Sequence, residues 1–254
     1  MEILIELSDE KVFYHYRTNH DFYFFICAKE GFLQQSGLVW RFQQSKLNDK
    51  WSVYFDFGLR RTDWLNKWSQ TLVRPGITYT VNVSLSITAG VAWFNNYTSA
   101  YVKPEYRGWQ QLLFTETYGR IKFNHRLRAE QRFNQAVVKD KLVNDYKYNN
   151  RFRYQLNAQI ALNKKSIENK TIYLTFADEV MMNSGKEVIN NYFDQNRLSA
   201  GVGYKLNDLF NITVSYMNVF VQKSQVNAFE NNNVLILNLY HNFGPRIKQT
   251  EKGK

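Results

Sequence analysis

From Gly37 onward, apolar and polar residues alternate with period two along most of the chain. Trp51, Val53, Phe55, Phe57 and Leu59 alternate with Ser52, Tyr54, Asp56, Gly58 and Arg60. Ile121, Phe123, Leu127, Ala129 and Phe133 alternate with Lys122, Asn124, Arg126, Arg128, Glu130 and Arg132. The same alternation sets Phe152, Tyr154, Leu156, Ala158 and Ile160 against Arg151, Arg153, Gln155, Asn157 and Gln159. Successive side chains of a strand point to opposite faces, so each such segment has one apolar and one polar face. Eleven strands are expected, near 37–46, 51–60, 69–81, 83–95, 105–118, 120–134, 147–162, 171–181, 194–206, 210–222 and 233–243.

Many of these segments are long. Strands of soluble domains run to about five or six residues, whereas a tilted membrane-spanning strand needs roughly 9 to 11. No stretch approaches the roughly 18 consecutive apolar residues of a spanning helix. The expected fold is therefore all-β, a transmembrane antiparallel up-and-down β-barrel, because only helices and closed barrels satisfy every backbone group in lipid. Bacterial barrels of one chain have an even strand number, so twelve strands are expected, with ten as the alternative and the missing strand placed in the N-terminal segment. Tyr118-Gly119-Arg120, residues 163–170 and residues 207–209 read as turns; residues 135–145, 183–191 and 224–232 read as longer polar loops. Short periplasmic turns and longer extracellular loops belong to an outer-membrane barrel. Pro75, which lacks a backbone donor, suits a bulge or strand end.

Composition adjusts this picture in three places. A mean hydropathy of −0.49 rules against a helical membrane protein but not a barrel, whose strands need only one apolar face. Aromatics reach 17 %, in keeping with the girdles at both lipid boundaries of such barrels. The net charge of +11 would suggest nucleic acid on a soluble protein, but here the basic residues are spaced along strands. One cysteine, Cys27, excludes an internal disulfide. Residues 1–35 are expected to be a degenerate or extended signal segment, with Phe22 to Ala28 as a short apolar stretch and the mature chain starting near Leu33 to Gly37. The alternative is an ordinary strand over 11–28. The barrel is expected over 36–245, and a basic tail over 246–254.

With the apolar rows outside, Arg60, Arg74, Glu105, Arg107, Arg126, Arg128, Glu130, Arg132, Arg151, Arg153, Glu179 and Arg197 point inward, together with Arg41 and Asp56. A charge held away from water has to be paired or hydrated. Arginines outnumber acids by more than two to one in this set, so either water fills the lumen or an anion sits in it. A salt-bridge plug and an anion-attracting pore use the same residues.

These residues also carry a resemblance. Arg74-Pro75, Glu105-x-Arg107 with Gln110-Gln111, and Arg126-x-Arg128-x-Glu130-Gln131-Arg132-Phe133 resemble the bacterial family known as domain of unknown function 2490. Arg151-Phe152-Arg153-Tyr154, Asp178-Glu179, Phe193-Asp194-Gln195-Asn196-Arg197, Gly201-x-Gly203-Tyr204 and Tyr216-Met217-Asn218 follow in order, so the likeness spans about 36–244. The resemblance implies an outer-membrane barrel and no established activity or catalytic residues. The ordinary signal peptide of the family has no clear counterpart in residues 1–35.

Catalytic chemistry is poorly supplied. His125 and His241 fall on apolar rows without a nucleophile or carboxylate partner of the kind catalysis needs. No His-x-Ser, Walker, Rossmann or zinc spacing occurs. Asp178-Glu179 and Asp194 to Arg197 flank one loop, where a rim salt bridge from Asp194 or Glu179 to Arg197 is expected in preference to a calcium site. No catalytic residue, metal or cofactor is expected. The expected location is the outer membrane, as a narrow pore or a structural or accessory envelope component. The expected partners are outer-membrane lipid and lipopolysaccharide, the barrel-assembly machinery and other envelope proteins, without nucleic acid. The alternatives are a barrel enzyme acting on lipid or lipopolysaccharide, and a soluble lipocalin-like ligand-binding barrel with its apolar rows inside.

Overall fold

The computed structural model describes residues 47–62, 66–225 and 227–242 in full, and the backbone of four strands before them. Every segment with sustained alternation is a strand. Three N-terminal strands, β1 (Ile3–Ser8), β2 (Lys11–Tyr16) and β3 (Phe24–Ala28), make a separate antiparallel sheet in the order β1-β2-β3. The barrel strands are β4 (Gln35–Lys46), β5 (Trp51–Thr62), β6 (Lys67–Thr80), β7 (Leu85–Tyr97), β8 (Val102–Tyr118) and β9 (Ile121–Val138). They continue as β10 (Lys141–Ala161), β11 (Thr171–Ser184), β12 (Phe193–Lys205), β13 (Phe210–Gln222) and β14 (Phe229–His241).

The ten strands β5 to β14 form one antiparallel up-and-down sheet, each hydrogen-bonded to its sequence neighbour. β4 pairs with both edges of that sheet and closes it into a barrel. Eleven strands, rather than the expected twelve or ten, make the closure parallel: in an up-and-down sheet the first and last strands run the same way when the number is odd. The β14–β4 seam accordingly pairs Val234 with Gln35 through His241 with Phe42 in parallel, a slightly weaker ladder than the antiparallel ones. No twelfth barrel strand occurs among the described residues; the N-terminal segment supplies the three-stranded sheet instead. Phe243, Gly244, Pro245 and the basic tail lie outside the described residues.

The expected loop over 135–145 is a two-residue hairpin. Lys139 and Asp140 take positive φ of 49° and 58°, the backbone of the turn whose twist matches that of the flanking strands. β9 and β10 thereby reach 18 and 21 residues, and the outer part of β10 is exposed on both faces. The 224–232 loop also shortens, because β14 begins at Phe229. Connections are therefore not consistently long at one end. At the other end, Asn48, Asn82 and Asn207 each turn the chain in one way: the side-chain Oδ1 accepts from the backbone N–H groups two and three residues on.

Burial follows the alternation with the apolar row outside. Trp51 and Val53 are exposed, while Ser52, Tyr54, Asp56 and Gly58 are buried. A soluble ligand-binding barrel has the opposite polarity. The outward polar residues pair among themselves: Gln110 and Gln131 exchange hydrogen bonds at 3.1 and 3.2 Å, and Asn218 donates to Asn231 and Asn233 at 2.7 and 3.0 Å.

Inside, a row of facing positions is shaped around Trp109. Gly76 pairs with Gly90, and Gly90 with Trp109, so the indole lies across two glycines to meet Tyr54 edge-on at 5.3 Å. A Cβ on Gly76 would stand 2.9 Å from the indole, and one on Gly90 would collide with the Pro75 carbonyl. Pro75 sits inside β6, where the β6–β7 ladder is interrupted between Val73 and Gly76. Gly90→Ala is expected to lower unfolding stability by about 1–3 kcal/mol through overpacking, measured by urea titration of the folded barrel. Unchanged stability would show that the glycine pair is not needed for ring and backbone to fit.

Candidate functional site

The arginine rows converge because period two places i and i+2 on one face, and register then brings neighbouring rows together. All of the ionisable residues expected on the inner face of β5 to β12 point inward. The side chain of Arg41 lies outside the described residues. Register alone would be unfavourable, since Arg107 stands opposite Arg132 and Arg128 opposite Arg153. Like charges directly across a ladder repel. The glutamates two positions along resolve this.

Glu105 accepts from Arg107 Nε at 2.7 Å and from Arg132 Nε at 2.5 Å. Arg107 reaches on through Nη1 to Glu130 at 3.0 Å. Glu130 accepts in turn from Arg153 Nη1 at 2.7 Å. Arg153 grips Glu179 with its fork, Nε to Oε1 and Nη2 to Oε2, both at 3.0 Å, and Arg126 Nη2 joins the same carboxylate at 2.7 Å. The result is an unbroken alternation of charge, Arg132–Glu105–Arg107–Glu130–Arg153–Glu179–Arg126, across β8 to β11. Arg153 is its hub. Charge-assisted, bidentate contacts of this kind are the strong members of their class.

The network is closed to solvent at its centre. Glu130 is 1 % exposed, Glu105 2 % and Glu179 3 %. A carboxylate so buried keeps its charge only when it is fully partnered, and losing a partner costs several kcal/mol. Asp56, fully buried, pairs with Arg74 and accepts from the Tyr54 hydroxyl at 3.1 Å. Arg151 pairs with Asp194 at 2.7 Å.

Aromatic rings back three of the arginines, one of which, Arg128, has no close carboxylate. Arg128 lies over the Trp109 indole at 4.9 Å, Arg74 over the same ring at 5.7 Å, and Arg107 over Phe94 at 3.8 Å. Cation–π contact is worth more where water is excluded. Arg128 also donates to Gln111 Oε1 through Nε at 3.1 Å and Nη2 at 2.5 Å, with Glu130 further off at 3.9 Å. Tyr54, Leu72, Ala92, Phe94 and Trp109 form an apolar cluster inside the barrel. Sequence reading missed these backstops, although Trp109 stands in phase with Arg107 and Gln111. It also placed Asp194 at the outer rim. A bulge where Met181 faces Gln195 and Met182 faces Phe193 turns both Asp194 and Gln195 into buried positions.

The pair Asp178-Glu179 cannot act jointly, because neighbours on a strand point to opposite faces. Glu179 enters the network, whereas Asp178 points outward and accepts from Asn196 at 2.6 Å. Neither Asp194 nor Glu179 bridges Arg197, which donates to Gln195 at 3.3 Å. The expected rim salt bridge is thus replaced by inward pairing with Arg151, Arg153 and Arg126. His125 Nδ1 lies 2.9 Å from the Tyr154 hydroxyl, and His241 stacks on Phe210 at 4.2 Å; both work as ring partners on the outer wall.

Residues 40–230 match the family model described as "Protein of unknown function (DUF2490)". No curated protein and no solved structure matches the chain. Glu130→Gln is expected to destabilise the folded barrel by about 3–5 kcal/mol, because Arg107 and Arg153 each lose a charged partner in a buried setting. Urea-induced unfolding measures this, and a loss below about 1 kcal/mol would show that Glu130 is not central to the network.

Proposed function

We propose that this chain, which belongs to the DUF2490 family of proteins of unknown function, is an outer-membrane β-barrel sealed at mid-height. In this reading it is a structural or accessory component of the envelope rather than an open pore or an enzyme. One observation carries it: the apolar rows face out while the inward face is closed by the ion-pair network.

Outside, Trp51, Trp68, Trp93, Tyr106, Phe133 and Phe152 are exposed, an arrangement costly in water and favourable at a lipid interface. An apolar depression of about 410 Å³ on the outer wall, bordered by Ile87, Leu112, Leu127, Phe152, Val180 and Met182, suits an acyl chain. The outward polar groups are paired with one another, which lowers the cost of placing them in hydrocarbon. Inside, the charges are engaged mainly with each other.

Single-tryptophan variants reconstituted with acyl-chain-brominated lipid test the location. A chain keeping only Trp93, 52 % exposed, is expected to lose most of its fluorescence, and one keeping only Trp109, 1 % exposed, to retain it. Equal fluorescence of the Trp93 chain in brominated and ordinary lipid would overturn the membrane reading.

A further inference from the structure

The wall made by β13 and β14 departs from the polarity of the rest. On its inner face Met217, Val219 and Val234 are buried and apolar. On its outer face the apolar rows are interrupted. Tyr216 and Asn218 stand between the exposed Val214 and Phe220 on β13, and Asn231 and Asn233 between the exposed Phe229 and Leu235 on β14. Register sets Asn218 opposite Asn233 and Phe220 opposite Asn231, so the three amides form one patch. Exposed apolar side chains lie on both sides of it along each strand, which puts the patch inside the apolar belt and not at its end.

The patch does not satisfy itself. Asn218 Nδ2 donates to Asn231 Oδ1 at 2.7 Å and to Asn233 Oδ1 at 3.0 Å, and the Tyr216 hydroxyl donates to Asn233 Oδ1 at 2.6 Å. These bonds use both oxygens on β14 and the nitrogen on β13. The Nδ2 groups of Asn231 and Asn233 and the Oδ1 of Asn218 have no hydrogen-bond partner among the described residues. The other outward amide pair, Gln110 with Gln131, is reciprocal and leaves no such imbalance. An unmet amide group in hydrocarbon is costly, and lipid tails have nothing to offer it.

A second copy supplies what is missing. Two barrels inserted in the same sense are related by a two-fold axis along the membrane normal. With that axis beside the patch, β13 of one copy faces β14 of the other at the same height. The surplus donors on β14 then meet the surplus acceptor on β13, and the exchange occurs twice, as an isologous contact requires. A surface with donors on one strand and an acceptor on the next is its own complement, whereas an unlike partner would have to bring a matching set.

We infer that β13 and β14 carry a homodimer interface on the outer wall, in which Asn231 and Asn233 of each copy donate to Asn218 of the other. Polar side chains join membrane-embedded segments in this way. The inference rests on the membrane reading above, since in water the same amides are hydrated.

Sedimentation equilibrium of the folded full chain in density-matched detergent micelles is the test. The parent is expected to sediment as two chains and to dissociate on dilution into further detergent. Asn218→Leu/Asn231→Leu/Asn233→Leu is expected to dimerise at least tenfold more weakly, and Gln110→Leu/Gln131→Leu, on β8 and β9, to dimerise like the parent. If the triple variant does not fold, Leu198→Trp decides. Leu198 is exposed and lies opposite Asn218, so the larger ring keeps every amide but blocks close approach, and a loss of at least tenfold is expected again. A parent with the mass of one chain at every concentration, even one that holds an unlike protein instead, would overturn the interface, as would parent-like dimerisation of either folded variant. Quenching of the chain that keeps only Trp93 by brominated lipid separates the two readings. A monomeric parent with Trp93 quenched overturns the dimer alone, whereas unquenched Trp93 overturns the membrane reading and the dimer's basis with it.

Discussion

Most of the arginines that point into this barrel are held by carboxylates there, because the wall behind them is apolar on its outer face. The rest of the structure follows from that constraint. Three glutamates are placed so that each serves two arginines, and Arg153 serves two glutamates through its three donor nitrogens. Arg128, with no carboxylate close by, has Trp109 and Gln111 instead, and Phe94 backs Arg107. Even the glycine pair on β6 and β7 serves this end, since it lets the Trp109 ring lie flat enough to face Arg128 and Arg74. The network is therefore a brace: it ties β8, β9, β10 and β11 together through their side chains.

Such a core inverts the usual relation between burial and polarity. Buried charges seldom add stability against a well-packed apolar alternative, but they are very sensitive to the loss of one partner. Here the alternation of charge gives each interior group a partner of opposite sign on two sides. An apolar strip of Met217, Val219 and Val234 lies on the inner face of β13 and β14, two adjacent strands that carry no arginine. The seam between β14 and β4 lies beside this strip. It is the only parallel ladder among the described barrel strands, and it follows from an odd strand count.

Much of this was legible in the chain. Alternation marked all eleven barrel strands, and β13 was delimited at both of its ends, Phe210 and Gln222. The inward set was legible too, since spacing by two fixes a face without knowledge of the neighbour. What spacing cannot supply is register. Whether Glu105 lies between Arg107 and Arg132, or Glu179 turns to Arg153 rather than Arg197, depends on which residues of adjacent strands are opposed. A bulge moved Asp194 inward, and positive φ at Lys139 and Asp140 turned an expected loop into a hairpin. Both are backbone decisions made by a single residue or two, beneath the level at which a periodic pattern speaks. The expected twelve strands are not confirmed: ten make the up-and-down sheet and β4 pairs with both of its edges, whereas the even-number expectation assumes antiparallel closure.

The central claim is that the ion-pair network seals the lumen, and current through a planar bilayer tests it most directly. Folded parent protein is expected to give no steady conductance step. Arg107→Ser/Glu130→Ser/Arg153→Ser, which removes the middle of the network, is expected to pass ions. Persistent, reproducible conductance by the parent protein would contradict the account.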